Sequence, residues 1–211
     1  GQMQRVAIAR TLITNPSVLM MDEPLANLDT KLRGEMRRFI RELQQRLGIT
    51  TIFVTHDQIE AMELADRVAV IFGGNLAQYD APDALYKRPN SIEIADFMGA
   101  TNVFEARITG TAATAAFGTL TLDSAAKDGL GHVMLRGEAI DLHLQEVTDT
   151  ENTIRGKVTA REFFGANITY SVDCGGETIQ VIEQSRRMVD IGQHVWLTIP
   201  PHRIWTIQDN S

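Results

Sequence analysis

The chain has 211 residues, 22% of them charged, with a formal net charge of −7 and a single cysteine, Cys174. That length admits one or two domains, and the acidic balance argues against a general nucleic-acid binder, which needs a basic footprint. One cysteine excludes an intrachain disulfide scaffold and a cysteine-built zinc site, and no apolar run approaches the length of a membrane span.

Residues 3–14 place Val6, Ala9, Arg10 and Ile13 at helical spacing, and Asn15-Pro16 ends that helix because the residue before proline avoids the helical region. Residues 18–21 (VLMM) form a short continuous apolar run followed at once by Asp22, Glu23 and Pro24. This predicts a buried strand whose carboxyl end delivers two carboxylates. Over 30–47, Leu32, Met36, Phe39, Ile40, Leu43 and Leu47 draw an apolar stripe at the helical period, with Gly48 as C-cap. The basic residues of this helix read as a solvated face balanced by Glu35 and Glu42. Residues 50–54 (TTIFV) have the β-branched composition of a second buried strand, and Asp57 is placed to cap a helix over 58–65. A strand at 67–72 and the Gly73-Gly74 turn lead into 75–79. Strand, helix, strand, helix, strand predicts an α/β sheet.

Beyond Pro82, two short helices are expected at 83–88 and 91–98. From Val103 the composition shifts to Thr, Gly, Val and Ile in short runs, with strands expected near 103–108, 117–122, 132–136, 153–161, 167–173, 178–183, 194–199 and 203–207. Glycine-bearing turns, notably 173–176 and 190–192, separate several of them, which predicts one or two small barrels.

The sharpest chemical signal is VLMMDEP at 18–24. A strand end is where open α/β sheets place ligands. Asp22 is a hard oxygen donor suited to Mg²⁺, and Glu23 could orient or deprotonate a water. The same pair also fits an ordinary surface turn. His56, between a β-branched strand and a helix cap, could donate a hydrogen bond to a phosphate or satisfy a loop carbonyl. Gly1 and Gln2 precede a helix whose first N–H groups could face a phosphate.

Taken together these residues resemble a known family. GQMQRVAIARTLITNPSVLMMDEPLANLDTKLR followed by TIFVTHDQIEAMELADRVAVIFGG is similar to the later half of an ABC-transporter ATPase domain. GQ resembles the end of its LSGGQ signature, VLMMDEP its Walker B segment with the adjacent glutamate, ANLD at 26–29 its D-loop, and VTH at 54–56 its switch-histidine loop. Residues 99–211, through ATNVFEARI, VMLRGEAI, REFFGANITY and IPPHRIW, resemble the TOBE-type regulatory extension of importers for sugars, polyamines, iron and related solutes. LRGE stands where LRPE is more usual.

The resemblance implies a partial, P-loop-ATPase-like α/β domain over 1–98 and a β-rich, oligonucleotide-fold-like domain over 99–211. It implies roles residue by residue: Asp22 supporting Mg²⁺, Glu23 polarising the attacking water, His56 contacting the γ-phosphate, Asp29 coupling two sites across a dimer, and Gly1 and Gln2 closing on ATP held by the opposite subunit. It implies a homodimer acting with permease subunits and an external solute-binding protein, at the cytoplasmic face of the membrane, with no nucleic-acid partner. No GxxxxGK[ST] occurs in the sequence, and that loop supplies much of a phosphate cradle. The expectation is therefore a fragment that binds ATP and Mg²⁺ in the complete parent and is inactive alone, with an empty position beside the strand that precedes His56. The alternative is a noncatalytic regulatory or dimerisation module.

Overall fold

The structure, a computed structural model, describes residues 2–148 and 151–208, with Gln2 and Gln4 described by their backbone alone. Contacts divide the chain into two units, Gly1–Tyr86 and Lys87–Ser211.

In the first unit, helix α1 (Gln2–Leu12) leads to strand β1 (Val18–Asp22), helix α2 (Thr30–Leu47), strand β2 (Thr50–Val54), helix α3 (Gln58–Leu64) and strands β3 (Val68–Phe72) and β4 (Asn75–Asp80). β1 and β2 pair in parallel from Val18 opposite Thr50 to Asp22 opposite Val54. Leu19 and Met21 turn inward onto Ile8, Leu25, Met36 and Ile40. Helix α2 follows its apolar stripe, is capped by Asp29, which accepts from the Leu32 N–H, and ends at Gly48 with φ 60°.

Two expectations change here. The continuous apolar run implied strands buried on both faces. Instead β1 alternates, so Val18, Met20, Ile52 and Val54 are exposed, and Met20 and Ile52 are direct register partners. A parallel pair is dry only when helices cover both faces, and the described residues cover one. The predicted single α/β sheet is also divided. β3 pairs antiparallel with β4, and among the described residues no strand bonds to the second edge of β2.

The second unit holds short helices and two five-stranded antiparallel sheets. Helix α4 (Pro82–Lys87) leads into it and α5 (Ile92–Phe97) belongs to it. The strands are β5 (Asn102–Thr109), β6 (Ala112–Ala115), β7 (Gly118–Thr121), β8 (Gly129–Leu135), β9 (Asp141–His143), β10 (Thr153–Phe163), β11 (Asn167–Cys174), β12 (Glu177–Gln184), β13 (His194–Thr198) and β14 (Ile204–Gln208). One sheet runs β14-β8-β5-β6-β7 and the other β12-β11-β10-β13-β9. Their inward residues share one apolar core, including Ile108, Leu120, Val133 and Leu135 from the first and Val158, Tyr170, Val181 and Val195 from the second.

Two asparagine amides join the sheets. Asn102 is fully buried. Its Nδ2 donates to the Gln180 carbonyl and its Oδ1 accepts from the Gln180 N–H, each at 2.7 Å. Asn152 does the same for Thr121 of β7, accepting from its N–H at 2.5 Å and donating to its carbonyl at 2.8 Å. Each amide stands in for a peptide group at the edge of a strand, the place where unpaired backbone would otherwise be left.

Gly156 allows the closest approach in this core: a Cβ there would sit 2.7 Å from the Cys174 Sγ and 2.9 Å from the Asp173 carbonyl. The Cys174 thiol is pushed up to about 12, first by burial and then by the neighbouring Asp173 charge. Among the described residues no helix is long and apolar enough to cross a membrane.

Replacing Asn102 by Leu leaves the Gln180 N–H and carbonyl without these partners. The expected cost is about 2–4 kcal/mol, read from urea unfolding. Cys174 should resist Ellman's reagent at pH 8 while the chain is folded and react promptly in guanidinium. Its folded-state value lies above the unfolded one, so the thiol's contribution is intact below about pH 9. That contribution falls as the pH rises toward 12, because only the unfolded chain then gains by ionising.

Candidate functional site

The parallel register of β1 and β2 ends both strands at the same level, Asp22 opposite Val54. The Glu23 N–H closes that last pairing by donating to the Val54 carbonyl at 2.8 Å. Glu23 makes that bond with φ at 42°, in the left-handed region that an ordinary side chain seldom occupies. The result is a carboxylate turned toward the neighbouring strand end. His56 Nδ1 lies 3.0 Å from Glu23 Oε1. Against an ionised carboxylate the Nδ1 carries the proton, which leaves Nε2 as an acceptor in the neutral ring and a donor in the charged one.

Both side chains are well exposed, 72% for His56 and 48% for Glu23, so their mutual attraction is heavily screened. Their geometry is held by the loops. The Thr55 hydroxyl donates to Glu60 Oε2 at 2.6 Å and accepts from the Asp57 N–H at 3.0 Å. Asp57 Oδ1 then accepts from the Ile59 and Glu60 N–H groups at 2.8 and 3.3 Å. His56 therefore sits between two residues that are each tied to helix α3.

Of the residues singled out from the sequence, Glu23 and His56 are brought into contact. Asp22 ends β1 with an exposed side chain beside them in sequence. Asp29 lies at the start of α2, where its carboxylate is engaged as the N-cap at 2.9 Å from the Leu32 N–H. Gly1 lies outside the described residues, as does the Gln2 side chain; the Gln2 backbone opens α1. Among the described residues no three His, Cys, Asp or Glu side chains converge as a metal cage. Asp22 can offer a single carboxylate, which suits Mg²⁺, an ion that keeps several waters and takes its remaining ligands from phosphates.

The arginines of α2 are what the sequence reading missed. Three of them reach acids outside their own helix. Arg33 meets Asp57 at 3.5 Å, Arg37 meets Glu63 at 2.6 Å and Arg41 meets Asp66 at 3.1 Å. Three arginines spaced four residues apart on α2 thus face acids on or beside α3, and Arg41 also donates to the Leu64 carbonyl at the end of α3. The i, i+4 spacing of the arginines was visible, but the partners lie some 25 residues away.

The family described as "TOBE domain" matches residues 133–207. Over 209 residues the chain is 36% identical to "Fe(3+) ions import ATP-binding protein FbpC" of Fusobacterium nucleatum, covering 97% of this chain and 56% of that protein. It is 36% identical to "Spermidine/putrescine import ATP-binding protein PotA" of Mycoplasmopsis synoviae, over 98% of this chain and 44% of that protein. It is 52% identical over 124 residues to "Trehalose import ATP-binding protein SugC" of Mycobacterium tuberculosis, covering 58% of this chain and 32% of that protein. The chain spans about half the length of most of the curated relatives it matches.

Substituting Glu23 by Gly relieves the left-handed backbone and removes the carboxylate. Thermal or urea unfolding should show a gain of about 1 kcal/mol, while the His56 ring resonances move as their partner disappears.

Proposed function

We propose that this chain, which is homologous to the ATP-binding subunits of ABC importers and contains a TOBE domain, supplies the water-activating half of an ATPase site that drives solute import. The observation that carries the reading is the Glu23–His56 pair at 3.0 Å, set at the end of two parallel strands. In this reading Glu23 accepts a hydrogen bond from the attacking water and holds it in line. His56, oriented through Nδ1, presents Nε2 to the γ-phosphate. Asp22 would hold Mg²⁺ directly or through water, and the ion when bound would neutralise charge on the transferring phosphoryl group. Asp29, at the cap of α2, would couple two such sites across a homodimer, and Gly1 and Gln2 would close on nucleotide bound by the opposite subunit.

The sequence carries no GxxxxGK[ST] loop, so the triphosphate cradle must come from another stretch of polypeptide. The bare face of Val18, Met20, Ile52 and Val54 and the second edge of β2 are suited to receive it. An apolar sheet face and an unpaired edge both gain from such cover. The functional boundary is set at 98/99, with 1–98 serving hydrolysis and 99–211 serving regulation. Permease subunits and an external solute-binding protein complete the assembly, at the cytoplasmic face of the membrane. The relatives named above carry an iron ion, a polyamine and a sugar in their names, so the segment they share with this chain is assigned to hydrolysis and its regulation and not to solute choice.

A second reading is a noncatalytic regulatory or dimerisation module. It is favoured by the second unit, which closes its own apolar core.

The 211-residue chain alone is expected to release no phosphate from ATP above background. Supplied with the P-loop-bearing half of a homologous subunit, it should hydrolyse ATP with Mg²⁺, and Glu23→Gln should lower kcat by roughly 10²-fold or more. Turnover by the chain alone that disappears in Glu23→Gln would contradict the need for the second half. A complemented assembly that binds ATP without turning it over would favour the noncatalytic module.

A further inference from the structure

Arg33 holds three groups at once. Its Nε donates to the Leu28 carbonyl at 2.9 Å, its Nη2 to the Ala26 carbonyl at 3.1 Å, and its Nη1 reaches Asp57 Oδ2 at 3.5 Å. The two carbonyls belong to the turn that runs from Glu23 to the Asp29 cap. That turn is further tied by the Ala26 N–H donating to the Glu23 carbonyl and the Leu28 N–H to the Leu25 carbonyl. Asp57 is the residue after His56. One guanidinium therefore connects the segment that carries Glu23 to the segment that carries His56, at a point where neither side chain of the pair is buried enough to be fixed by packing.

We propose that Arg33 is a positioning residue: its guanidinium couples the 26–28 turn to the 55–57 loop and so sets the distance between Glu23 and His56. The inference rests on the proposed role of that pair and adds the device that holds it. The planar fork is what the job needs. It presents separate N–H groups in fixed directions, two to carbonyls and one to a carboxylate, whereas an ammonium is a single point that cannot span all three. Arg37 and Arg41 lack this function. Arg37 is paired with Glu63, and Arg41 serves Asp66 and the Leu64 carbonyl, all near the far end of α3.

The coupling can be read in the isotopically labelled 211-residue chain without nucleotide. In the wild type, Glu23→Gln should move the His56 ring resonances. In Arg33→Lys and Arg33→Met backgrounds that Glu23-dependent movement should shrink about threefold or more, the non-additivity expected of linked residues. Arg41→Ala removes a comparable ion pair lower on the same helix and should leave the movement intact. The proposal is overturned if both Arg33 variants keep the full movement, if Arg41→Ala reduces it equally, or if Arg33→Lys loses its cooperative melting transition, which would assign the residue to folding. In the complemented assembly Arg33→Lys should lower kcat by about tenfold or more with KM for ATP unchanged, the signature of misplaced groups and not lost binding; an unchanged kcat counts against it. If the wild-type assembly hydrolyses no ATP, the ATPase reading fails, and the resonance measurement still decides the role of Arg33.

Discussion

The bond from the Glu23 N–H to the Val54 carbonyl is the constraint on which the candidate site depends. It closes the Asp22–Val54 pairing at the end of the β1–β2 ladder, and the chain turns immediately after it, at a left-handed φ on a residue with a full side chain. An extended Glu23 would follow the alternation of the strand and point its carboxylate away from the neighbouring chain end. The turned backbone instead faces His56. Backbone outliers of this kind are kept where the surrounding structure over-determines them, and here the surroundings are the parallel partner strand on one side and the Arg33-bound turn on the other.

Much of the local architecture could be read directly. The stripe from Leu32 to Leu47, bounded by Asp29 and Gly48, gave α2 its limits, because the cap residues and the apolar period agreed. The β-branched 50–54 run and the Asp57 cap were legible for the same reason. Two strands escaped. β6 is Ala-Ala-Thr-Ala, too small in its side chains to show alternation, and β9 is three residues long. Both exist because a neighbouring strand offers hydrogen bonds: β7 and β5 for β6, and β13 for β9. Tertiary pairing of this sort leaves little trace in composition.

The site was legible as a set of residues and not as a geometry. Asp-Glu after an apolar run and a histidine after a β-branched run announce two polar strand ends. Only the parallel register shows that those ends are neighbours. The arginines of α2 illustrate the limit more sharply. Their spacing marked one face of the helix, and Glu35 and Glu42 offered plausible partners on the same helix. The acids that hold them lie on α3 or just beyond its two ends, and a preference between local and distant partners depends on how two helices pack, which a one-dimensional pattern does not contain.

The exposure of the Glu23–His56 pair fixes how it has to be built. A carboxylate and an imidazole in contact with water attract each other by no more than about 1 kcal/mol, too little to order two side chains against their own rotamer freedom. A buried pair could rely on a low dielectric to hold its geometry. This one cannot, so its order has to be imported from groups that are themselves secured: the strand ladder through Glu23, the Thr55–Glu60 and Asp57 bonds through helix α3, and the guanidinium of Arg33 between them. Exposure is also what leaves Nε2 of the ring and the second oxygen of Glu23 accessible to a water or a phosphate. The same feature that weakens the pair as a stabilising contact keeps it available for chemistry.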